Sequence, residues 1–186
     1  MERREAVQYI SLLLGGTIIG GNAFLTGCKT NTGTKVNFSK EDVAYLDEIA
    51  NTILPDTSTP GAKAAGVGQF ISVMVNDCYE AKDQKIFHEG MDKINALSKK
   101  TYDNSFIKIN EQQRHDLLVS LDKEQKDYMK NKMKEETSHY FRMMKELTML
   151  GYFTSEIGST KARRYRETPG KFEACIPYTK GDKAFS

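Results

Sequence analysis

From Ser39 to Leu150 apolar side chains return at intervals of three and four residues, and no stretch alternates apolar with polar long enough to make a strand. That rhythm restricts the chain to helices packed on helices. Ser39 with Asp42 forms a capping box that opens a first helix, with Val43, Leu46, Ile49, Ala50 and Ile53 on one face and Pro55 as its stop. A turn-rich loop, 55–61, holds Pro55, Pro60 and Gly61. A second stripe follows through Val67, Phe70, Ile71, Met74, Val75 and Cys78, and a third through Ile86, Phe87, Gly90, Met91, Ile94 and Leu97. Asn110 with Gln113 repeats the capping box ahead of Leu117, Leu118 and Leu121. The longest periodic run, 123–150, predicts one helix with Tyr128, Met129, Met133, Tyr140, Phe141, Met144 and Leu147 inward. The expected fold is all-α: an irregular bundle of about five to six helices, closed by an irregular C-terminal segment.

Composition narrows the function classes. The 186 residues carry 27 basic and 25 acidic side chains, a net charge of +2, too small to point to nucleic acid. Three cysteines are too few for a disulfide scaffold or a four-thiolate metal site.

The first 27 residues differ from the rest. Arg3 and Arg4 precede an apolar core of roughly Tyr9 to Leu25, and the segment ends Leu25-Thr26-Gly27-Cys28. This is the layout of an export signal ending in a lipobox, with Cys28 as the lipid-bearing thiol. An uncleaved membrane anchor is the alternative, weakened by Gly15, Gly16, Gly20 and Gly21 within the core. Either way the body lies outside the cytoplasm, and the lipobox reading puts it lipid-anchored at the periplasmic or outer face of a bacterial envelope. Arg3-Arg4 fits twin-arginine export as well as ordinary secretion. Residues 28–38 then read as lipidated cysteine and polar tether, and 39–186 as a single helical domain.

Candidate chemistry is sparse. Glu136 and His139 have the Glu-x-x-His spacing of di-iron bundles, but no second pair accompanies them and a surface pair is the better reading. Cys78 and Cys175 are the thiols left once Cys28 is lipidated; they could bridge each other, Cys175 could bridge a partner, or Cys78 could be a small buried hydrophobe. Lys161, Arg163, Arg164 and Arg166 around Tyr165 form a basic, aromatic cluster, read as a solvated helix end or a docking surface for an acidic partner. The dinucleotide, phosphate-loop, haem-attachment and nucleophile-elbow motifs are absent. No catalytic residue and no metal ligand is expected, and no cofactor bound by this chain.

Three stretches together resemble one family. They are Ile53-Leu54-Pro55-Asp56-Thr57 leading through Thr59-Pro60-Gly61 to Val67, then Leu147 to Gly158 with Gly151-Tyr152-Phe153 at its centre, then Tyr165 through Pro169-Gly170 to Cys175-Ile176-Pro177-Tyr178. The resemblance is to subunit 3 of gluconate 2-dehydrogenase, the small subunit of membrane-associated flavin dehydrogenases of sugars and sugar acids. It implies a large partner similar to glucose-methanol-choline oxidoreductases that holds FAD and does the hydride chemistry, and a cytochrome c subunit whose haem takes the electrons. The small subunit then serves in export, anchoring or stabilisation. Pro55, Pro60, Gly61, Tyr152, Phe153, Cys175, Pro177 and Tyr178 are the expected docking residues. The competing reading is a stand-alone lipid-anchored binding or scaffolding protein of the envelope.

Overall fold

The computed structural model describes residues 38–133, 136–168, 170–171 and 175–185. Arg3, Arg4 and Cys28, with the export signal and lipobox they define, lie outside the described residues. Among those described, five α-helices and one π-helical turn follow in order: α1 Lys40–Ile53, α2 Val67–Cys78, α3 Ala81–Tyr102, α4 Glu111–Asn131, α5 Tyr140–Thr154 and the turn Gly158–Ala162. The described residues contain no strand, only an isolated parallel bridge between Arg164 and Phe185. None of these helices is long and apolar enough to cross a membrane.

Both capping boxes form. Ser39 Oγ accepts from the Asp42 amide while Asp42 accepts from the Ser39 amide, and Asn110 and Gln113 exchange the same pair of bonds. Each box satisfies two of the amide donors that a helix start leaves without partners.

The hub is α5, which packs against each of the other four helices and against the π-helical turn. Its sequence permits this because apolar residues occupy more than one face: Tyr140, Phe141, Met143, Met144, Leu147, Gly151 and Tyr152 are all buried. Around it lie Leu46 and Ile49 of α1, Ile71 and Val75 of α2, Phe87 and Ile94 of α3, and Leu121 of α4, each with 1% or less of its surface exposed. Burying each such side chain contributes about 1.5–3 kcal/mol. Close approach of α3 to α5 depends on Gly90, where a Cβ would sit 2.5 Å from the Tyr140 side chain.

The single helix expected over 123–150 is two. The chain leaves α4 at Asn131 and enters α5 at Tyr140, and the two helices run antiparallel, held by Asp122 to Lys145 at 2.6 Å, Glu124 to His139 at 3.4 Å and the Tyr128 hydroxyl donating to the Thr137 carbonyl at 3.2 Å. Met133, expected inward, is 75% exposed because it lies in the connection, and Met143 takes a core position instead. The break has a local cause. Residues 137–139 are Thr-Ser-His, types that compete with a continuing helix, and His139 Nδ1 accepts from the Phe141 amide as the N-cap of α5. Glu136 and His139 therefore do not share a helix face, and His139, expected at the surface, is buried.

Candidate docking face

The loop between α1 and α2 is built by polar side chains of α1. Asn51 Oδ1 accepts from the Lys63 amide at 3.4 Å, and Asp47 Oδ1 from the Gly68 amide at 2.7 Å. Gly66, the N-cap of α2, has no side chain to supply, so Asp47 provides the cap from the neighbouring helix. Burial pushes the Asp47 carboxyl above its ordinary value, and this outweighs the lowering by the Gly68 amide and Lys63. Within the loop Asp56 Oδ1 accepts from the Gly61 amide at 2.7 Å and the Leu54 carbonyl from the Ala62 amide at 2.9 Å. Ala62 and Val67 are fully buried, so the loop is rooted in the core at both ends of that span.

Glu48 ties this loop to α4. Its carboxylate receives both Lys63 and Arg114. Burial raises the Glu48 carboxyl, but the bond from Lys63 and the charge of Arg114 outweigh it and hold the group below its ordinary value. Arg114 also donates from Nε to the Phe106 carbonyl at 3.1 Å and lies 5.7 Å from the Phe106 ring centroid. Beside this network opens a cleft of about 300 Å³ lined by Asn51, Thr52, Pro55, Asp56, Arg114 and His115, among others.

The second matched stretch meets the first here. The Tyr152 hydroxyl donates to the Pro60 carbonyl at 2.7 Å, although the two residues are 92 positions apart. Tyr152 is only 5% exposed, and its ring meets Phe153 edge-on at 5.2 Å. Phe153 is half-buried, with the Arg163 guanidinium 4.3 Å from its ring centroid.

Residues 40–170 match the family model described as gluconate 2-dehydrogenase subunit 3. The chain belongs to this family. Comparison with curated proteins and with solved structures gave no match. The subunit 3 match takes in all five helices, the π-helical turn, the Pro55–Val67 loop and the Tyr152–Pro60 contact, and it ends before Cys175, Pro177 and Tyr178.

Within this subunit 3 chain the expected docking residues other than the half-buried Phe153 divide into two kinds. Pro55, Pro60, Cys175, Pro177 and Tyr178 are exposed, Tyr178 by 74%. Gly61 and Tyr152 are buried, because the loop folds over them, so they set the shape of the face without offering contact area. Cys78 and Cys175 are both free thiols and both exposed, so neither the bridge between them nor a buried Cys78 is present. Helix α2 ends at Cys78, one turn beyond its last core contact at Val75.

Asp47, Glu48 and Arg114 organise the face, and no local sequence signal marks them, because each acts on a partner outside its own helix turn. The described residues contain no group of three or more His, Cys, Asp or Glu placed to hold a metal ion.

Proposed function

We propose that this chain is the non-catalytic small subunit of an envelope dehydrogenase complex that oxidises a sugar or sugar acid. Its role is to export, anchor or stabilise a large FAD-bearing subunit of the glucose-methanol-choline type. The observation that carries the reading is the meeting of two family-matched stretches at the Tyr152–Pro60 hydrogen bond. Together they offer one outward surface of fixed backbone, with Pro55, Asp56, Ser58, Pro60 and Ala64 exposed. A pre-ordered surface loses less entropy on binding than a mobile one.

In this reading FAD belongs to the large partner, haem to a cytochrome c subunit that accepts the electrons, and the lipid on Cys28 holds the assembly at the periplasmic or outer face of the envelope. A flavoprotein that folds around FAD before export needs a folded-protein route, and Arg3-Arg4 of a bound small subunit would supply the address.

The test is purification of the tagged full chain from its own cells, read by flavin absorbance. A yellow complex is expected, and Ser58→Arg with Ala64→Arg on the exposed loop should remove the colour while leaving helical circular dichroism unchanged. A colourless lone protein would reject the subunit reading in favour of a stand-alone envelope scaffold.

A further inference from the structure

We draw no further inference here: the strongest candidate, the surface patch that the packed helices α2 and α5 present through the exposed Val73, Met149 and Leu150, carries none because nothing among the described residues shows what covers it.

Discussion

The phenolic hydroxyl of Tyr152, at the end of the central helix, donates to the backbone carbonyl of Pro60 in the α1–α2 loop at 2.7 Å. That bond couples the hub of the bundle to the surface loop. Tyr152→Phe keeps the buried ring and removes only the donor, so it should cost about 1 kcal/mol in urea unfolding. Amide exchange in residues 57–62 should quicken alongside. Unchanged exchange in the loop would show that the bond does not hold it.

Gly61 is the steric keystone of the same loop. A Cβ there would lie 2.7 Å from the Leu54 carbonyl oxygen, the Asp56 amide nitrogen and Asn51 Oδ1. Two of these are backbone atoms that cannot turn aside. Gly61→Ala should therefore cost about 1–3 kcal/mol and open the loop to limited proteolysis. Wild-type stability together with wild-type protease resistance would contradict this packing.

His139 makes stability depend on pH. Nδ1 can accept from the Phe141 amide only while unprotonated, whereas Glu124, 3.4 Å from Nε2, favours the charged ring. Burial is the largest influence and pushes the imidazole below its ordinary 6.5, against Glu124 and together with Lys93. The sign follows. Below pH 6.5 the unfolded chain takes up a proton that the folded chain resists, so stability falls from there toward the lower folded value and levels off beneath it. His139→Asn, which can still cap, should flatten that fall, and His139→Ala should cost about 1 kcal/mol even at neutral pH. Parallel wild-type and His139→Asn profiles between pH 5 and 7, measured by urea titration, would exclude His139 as the source.

Cys78 and Cys175 are exposed free thiols, and Cys78 Sγ lies 3.9 Å from the Met74 sulfur. Both should alkylate fully in the native, unreduced protein, with peptide mass mapping to locate the label. Protection of either one that disappears with reductant would reveal a disulfide.

Much of the fold was legible because its signals are local. A capping box needs four consecutive residues, and Ser39 and Asn110 provided theirs regardless of what packs above them. The apolar stripes of α1, α2 and α3 were likewise readable from spacing. The break at 132–139 was not, since no glycine or proline marks it and the periodicity of α4 runs on into α5 in similar phase. Of the docking face, the sequence showed which stretches matter but not how they divide, because Tyr152 and Tyr178 are alike as residue types while one is buried and the other is 74% exposed.

By itself the sequence determined the helical class, both capping boxes, the apolar faces and the family, all carried by short-range spacing and residue type. Only the tertiary structure decided that α4 and α5 turn back on each other, that Asp47 caps a helix other than its own, and that Tyr152 reaches Pro60. The reason is physical: each is a contact between groups far apart in the chain, and such contacts exist only after hydrophobic burial has fixed where the helices lie.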